Sequence, residues 1–289
     1  MFSCLYLYIE VSKAAISSNT YLKKDLIMNY YIVTGASRGI GEALTRKLIV
    51  TGNTIFAVSR TMNEDLVELA SSLNVPFYYT EADLTLRVEA ETFINDVFEK
   101  IHLTGSDRIA LINNAGMLEP VAPVKATNFA LAEKHLHLNL LTPLILSSVF
   151  AAQTTSSDIP KVILNISSGA AFYPYSGWSV YCSSKAGLDM FTKVAGLEQD
   201  TEQYPVTIYA LAPGIIETGM QESIRESDIA VFPDRDKFIS LHEEGKLAKP
   251  DDVANTILNT IFNNSLVTGS VVTIDQLKEI INYKGSTLV

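Results

Sequence analysis

The sequence predicts an α/β protein: a doubly wound parallel sheet, three layers deep, in a single domain. Two observations predict it. Short apolar runs recur at Tyr30-Tyr31-Ile32-Val33, Thr54–Val58, Val75–Thr80, Arg108–Ile112, Lys161–Ile166, Val206–Leu211 and Gly269–Ile274, and helical segments alternate with them. Each chemically distinctive motif falls where such a run ends, and ligands of parallel sheets bind at the carboxyl ends of the strands. With 47% hydrophobic residues in 289, a sizeable core is available, and no repeat, low-complexity stretch or linker divides it.

Composition narrows the function. A net charge of −10 without a basic stripe argues for a soluble protein and against nucleic acid. Two cysteines, Cys4 and Cys182, imply no disulfide framework and a reducing, cytoplasmic setting. No unbroken apolar run reaches the ~18 residues of a membrane span. Residues 1–27 stand apart as an N-terminal extension. They lack a basic start and a small-residue cleavage site, so they make a poor signal peptide. The expected native start is Met28, directly before the first strand, because Lys23-Lys24-Asp25 can be encoded by a purine-rich run placed like a bacterial ribosome-binding site.

The remaining elements follow in order. Met28 to Thr34 is a buried strand. Thr34-Gly35-Ala36-Ser37-Arg38-Gly39-Ile40-Gly41 then turns into a helix through Leu48. Glycines let the backbone turn tightly beside a pyrophosphate, and the helix N-terminus faces the anion. The second strand ends at Ser59-Arg60, where an NAD site usually places an acid on the ribose. Arg60 with Arg38 favours a 2′-phosphate, hence NADP(H). The third strand leads to Asp83, then to a helix over Val88–Ile101. The fourth runs into Asn113-Asn114-Ala115-Gly116. Thr127 to Ala152 is one or two helices. His135 and His137 do not share a helix face, so no metal site is expected there. After the fifth strand come Ser167-Ser168 and then a helix with Tyr181 at its opening and Lys185 one turn on. A nearby cation favours the phenolate and lowers the phenol's pKa, and Ser168 is placed to hold a substrate oxygen. Phe172, Tyr173, Tyr175 and Trp178 lie between them and suggest a flat, aromatic-tolerant pocket. The sixth strand leads to Pro213-Gly214-Ile215-Ile216-Glu217-Thr218. The polar segment to Lys249, broken by Pro233, reads as a substrate lid over about 215–249 carrying Met220, Ile224 and Phe232. Pro250 opens a helix to about Phe262, a last strand follows, and the tail from Gln276 has no assignment.

T-G-x-x-x-G-x-G, N-N-A-G and Ser168 with Y-x-x-x-K resemble the short-chain dehydrogenase/reductase family over about Met28–Ile274. The resemblance implies a Rossmann-type sheet and hydride transfer from NADPH to a carbonyl carbon. It implies that Tyr181 protonates the carbonyl oxygen, Lys185 grips the nicotinamide ribose, Ser168 holds the carbonyl, and Asn139 supports a water-linked relay to Lys185. The thirteen-residue spacing to Tyr181 selects Ser168, with Ser167 in support. Gly35, Ser37, Arg38, Gly39, Ile40, Gly41, Ser59, Arg60, Asp83, Asn114, Ala115, Gly116, Tyr181, Lys185, Pro213, Gly214, Ile216 and Thr218 are the implied cofactor residues. Ser168, Tyr175, Trp178 and Met220 form the implied substrate pocket, and no metal is implied. Within the family, Gly177-Trp178-Ser179-Val180-Tyr181-Cys182 and Ala186-Gly187-Leu188-Asp189-Met190-Phe191 resemble bacterial benzil reductases and sepiapterin reductases. The pterin-anchoring aspartate of the latter falls at Thr273, with Asp275 two residues on, which favours a 1,2-diketone over a pterin as the small-molecule substrate. An NADP-sensing regulatory protein without chemistry is the reading from another class. An epimerase or dehydratase would carry T-G-x-x-G-x-x-G instead, and no G-x-S-x-G elbow surrounds Ser168. The long helices around Asn139 and Tyr181 are suited to pairing across a two-fold as a homodimer, while monomers also occur among relatives.

Overall fold

The computed structural model describes residues 28–261 and 266–279. The extension expected over 1–27 and the helix end expected at Phe262 lie outside the described residues. Seven strands form one sheet: β1 (Asn29–Thr34), β2 (Asn53–Ser59), β3 (Phe77–Glu81), β4 (Arg108–Asn113), β5 (Lys161–Ile166), β6 (Thr207–Ala212) and β7 (Ser270–Thr273). Their order is β3-β2-β1-β4-β5-β6-β7, and every pairing is parallel. The chain winds outward from β1 to one edge, then returns to β4 and winds to the other. The reversal leaves a crevice between the carboxyl ends of β1 and β4, where ligands of such sheets bind.

Continuous apolar runs make sense in this position, because both sheet faces are covered. In β1, Tyr31 and Val33 enter the core shared with α1 (Gly39–Leu48), α2 (Glu64–Ser72) and α9 (Pro250–Ile261). Tyr30 and Ile32 enter the opposite core, with α3 (Arg87–Lys100) and α5 (Thr142–Thr154). The predicted fold class and all seven strands hold, with ends shifted by a residue or two.

Four local expectations change. α2, where no helix was expected, turns Leu66, Leu69 and Ala70 to the core along one face. Its start lies in Asn63, whose side chain accepts from the Leu66 N–H. The segment expected as a polar lid contains α7 (Gly219–Arg225) and α8 (Arg235–Glu243). Ile224, Phe232 and Phe238 pin it into a third, smaller core with Leu118, Ala170, Trp178 and Tyr181. The unassigned tail begins as a helix, 274–279 among the described residues, and Ile274 and Leu277 close the first core. Finally, α4 (Phe129–Leu136), a π-turn at His137–Leu141 and α5 form one helical run. That run, Phe129–Thr154, is long and apolar enough to cross a membrane by length and composition, contrary to the sequence expectation. In this fold its inward face packs on the sheet and delivers His135, Asn139 and Phe150 to the interior.

Candidate active site

The turn after β1 is shaped by backbone demands. Gly35 and Gly39 adopt φ of 67° and 62°, where a side chain would be strained. A methyl on Gly41 would sit 2.1 Å from the Gly35 carbonyl oxygen, so α1 presses directly on the turn. No side chain caps α1 at Arg38, so its first N–H groups are open to an anion. This cradle fits a dinucleotide pyrophosphate. Arg38 and Arg60 are both exposed, and neither is in an ion pair among the described residues. Ser59 is turned inward instead, donating to the Thr61 carbonyl at 2.7 Å. Asp83 accepts from the Thr85 N–H at 3.0 Å.

The N-N-A-G motif serves the scaffold first. The Asn114 amide donates to the carbonyls of Thr34 and Gly35 at 3.0 and 3.1 Å, while the Thr34 hydroxyl accepts from the N–H groups of Asn114 and Ala115. The side chain of Asn114 is therefore a bolt between the β1 and β4 turns. Across the crevice, Thr218 lies against Gly39, close enough that a methyl on the glycine would meet its Cγ2 at 3.3 Å. Gly214 takes φ of 82° in the same connection, after Pro213 and before Ile216.

α6 (Ser179–Gln199) starts two residues before Tyr181, and the four-residue spacing puts Tyr181 and Lys185 on one face. Both are buried. The Lys185 ammonium donates to the Ile166 carbonyl at the end of β5 at 2.8 Å and lies 5.9 Å from the Tyr181 ring centre. Burial lowers the Lys185 pKa to about 8, opposed in part by the charge of Asp189. Burial also raises the Tyr181 phenol, with the adjoining Ser168 hydroxyl pulling the other way. Here the structure departs from the expectation of an acidified phenol. Proximity of a lysine was legible in the sequence, but desolvation of both groups was not, and desolvation dominates. Ser168 opens a short 3-10 turn, its hydroxyl accepting from the Ala170 N–H at 3.2 Å.

Asn139 sits in the π-turn and is fully buried. Its amide donates to the Met117 carbonyl at 2.8 Å and to His135 Nε2 at 3.0 Å, and its oxygen accepts from the Met117 N–H at 2.9 Å. His135 Nε2 is thus an acceptor, and Nδ1–H donates to the Glu119 carbonyl at 2.8 Å. Burial keeps this imidazole neutral by lowering its pKa. The ring packs edge-on against Tyr181, with centroids 5.8 Å apart. His137 turns elsewhere, to the Thr142 hydroxyl at 3.3 Å. Sequence reasoning weighed His135 only as a metal ligand; its spacing of four from Asn139 was the available sign of its bracing role.

Of the predicted substrate residues, Tyr175, Trp178 and Met220 come together beside Tyr181. Trp178 stacks on Phe232, which lies between α7 and α8, at 4.5 Å and 8°, and meets Tyr181 edge-on at 5.6 Å. Phe238 joins them 5.7 Å from Trp178 and was not foreseen. A cavity of about 440 Å³ opens to one side, between the loop Leu118–Ala122 and the turn of Ser223 and Ser227. It reaches none of the predicted site residues. Thr273 and Asp275 put no carboxylate into the site: Thr273 shares hydrogen bonds with Gln276, and Asp275 is exposed beside Lys278 at 3.6 Å.

Comparison with known proteins agrees with this geometry. The family model for short chain dehydrogenases matches residues 29–229. A benzil reductase ((S)-benzoin forming) of Bacillus cereus is 39% identical over 249 residues, covering 86% of this chain and 100% of the relative. Sepiapterin reductase of Meriones unguiculatus is 30% identical over 252 residues, covering 83% and 93%. Among solved structures, the KRED1-Pglu enzyme superposes with a TM-score of 0.73 at 28% identity, covering 85% of this chain and 100% of that one.

Proposed function

This chain belongs to the short-chain dehydrogenase family, and from that premise we propose that it is an NADPH-dependent reductase of aromatic or conjugated 1,2-diketones, of the type that converts benzil to (S)-benzoin. Membership makes it an oxidoreductase acting between CH–OH and C=O with a nicotinamide cofactor. The finer reading is carried by one observation: Ser168 and the buried Tyr181 and Lys185 directly adjoin a cluster of four rings, Tyr175, Trp178, Phe232 and Phe238.

In this reading the turn Gly35–Gly41 and the α1 N-terminus hold the pyrophosphate, and Arg38 and Arg60 hold a 2′-phosphate. When bound, the reduced nicotinamide supplies the hydride. Ser168 and Tyr181 donate hydrogen bonds to the carbonyl oxygen, so the charge that develops there meets preset donors. An alkoxide is a far stronger base than a phenolate, so a phenol that burial has made weaker still delivers its proton. Lys185, charged below its pKa of about 8, stabilises the phenolate left behind. The Asn139 amide is fully committed to Met117 and His135, so a relay to Lys185 through this residue uses its backbone carbonyl. Residues 215–249 act as the lid, their Phe232 and Phe238 excluding water from the reacting pair.

Absence of a carboxylate at Thr273 favours the diketone over the pterin. The test is a carbonyl panel of benzil, phenylpropanedione, isatin and sepiapterin with NADPH and with NADH. Faster turnover of the first two with NADPH is expected; preference for sepiapterin or for NADH overturns the respective half of the proposal.

A further inference from the structure

One turn beyond Lys185, Asp189 is the only buried carboxyl side chain among the described residues, at 4% exposure. Residues 181, 185 and 189 recur at each turn of α6 and share its inward face. Neither carboxyl oxygen has a hydrogen-bond partner, and neither does the buried Ser167 hydroxyl at the end of β5. The neighbouring Ser167 hydroxyl still favours the charged carboxylate, although no hydrogen bond is formed between them. A carboxylate left alone in a core is costly, and so is an ammonium. The charged groups acting on Asp189 are Lys185 and Lys193, both on α6. Those around Lys185 are Asp189 on its own helix and neutral His135 from α4, with the Tyr181 phenol beside it. Lys185 itself reaches only a carbonyl, that of Ile166.

We propose that Asp189 is the buried counter-charge that keeps Lys185 protonated at neutral pH, a positioning residue acting through the lysine. Its catalytic consequence rests on the reductase reading; its effect on Lys185 does not. Burial raises the Asp189 carboxyl and lowers the Lys185 ammonium, while the charge of each favours the charged form of the other. A group serving packing alone would be better as a hydrocarbon, which often stabilises a core relative to buried charge.

The experiment compares full-length wild type with Asp189→Asn and Ser167→Ala. Three quantities are read: the pH midpoint of NADPH binding by fluorescence, the pH midpoint of kcat/KM, and Tm. Asp189→Asn is expected to lower both midpoints by about one pH unit or more, to retain activity at pH 6, and to leave Tm unchanged or higher. Ser167→Ala, which removes no charge, moves the midpoints the same way by less and decides the matter if Asp189→Asn does not fold. Unmoved midpoints in the folded variants, or a loss uniform across pH, overturn the proposal. A shifted binding midpoint in a protein that reduces no carbonyl on the panel refutes the reductase reading alone.

Discussion

Raising the pH should disable Lys185 before any other group of the site. Its ammonium is buried, held by one carbonyl at 2.8 Å, and titrates at about 8. About nine in ten lysines are then charged at pH 7 and about one in ten at pH 9. Tyr181 is raised and keeps its proton through this range, and His135 is lowered and stays neutral. Only one group therefore changes state. The kcat/KM for carbonyl reduction should be flat from pH 6.5 to 7 and then fall along a single limb of unit slope, about tenfold between pH 7 and 9 and about a hundredfold by pH 10. Initial rates of NADPH oxidation in constant-ionic-strength buffers measure it. A limb centred near the free-lysine value of 10.5, or an added acid limb near pH 6.5 from His135, would refute the reasoning.

Arg38→Ala and Arg60→Ala should each raise KM for NADPH about tenfold, as expected for losing a charge-assisted hydrogen bond, with KM for NADH unchanged; equal losses for both cofactors would remove the 2′-phosphate role. Trp178→Ala should lower stability by about 3–5 kcal/mol through the cavity left by a buried indole. It should also raise KM for benzil by freeing Phe232, and calorimetry with steady-state kinetics would show whether the stability loss and the KM rise occur together.

Strands and strand-end motifs were legible because burial on both sheet faces writes each strand as an unbroken apolar run, ending where the ligand-facing turns begin. What escaped had weaker signals. The apolar face of α2, Leu66, Leu69 and Ala70, spans barely one turn of a nine-residue helix and was passed over. The anchors of the lid segment, Ile224, Phe232 and Phe238, are too widely spaced to mark a helix face, so the polar residues between them dominated the reading. In the site, the Tyr181–Lys185 spacing and the family resemblance pointed to Ser168, Tyr181, Lys185 and Asn139, yet not to the balance between proximity and desolvation that sets the proton affinities of Tyr181 and Lys185. Asn114 carries a role its motif did not announce: its amide fastens the turns after β1 and β4 to each other. Asp189 carried a sign that could have been used, four residues beyond Lys185 on the same helix face.

In the proposed mechanism the Tyr181 hydroxyl delivers the proton to a 1,2-diketone as it is reduced. The most direct test of this step is Tyr181→Phe, which removes one oxygen from a buried ring and leaves the ring contacts with Trp178 and His135 in place. NADPH binding should be retained while benzil turnover falls by about 10²–10⁴; turnover at the wild-type rate would contradict the account.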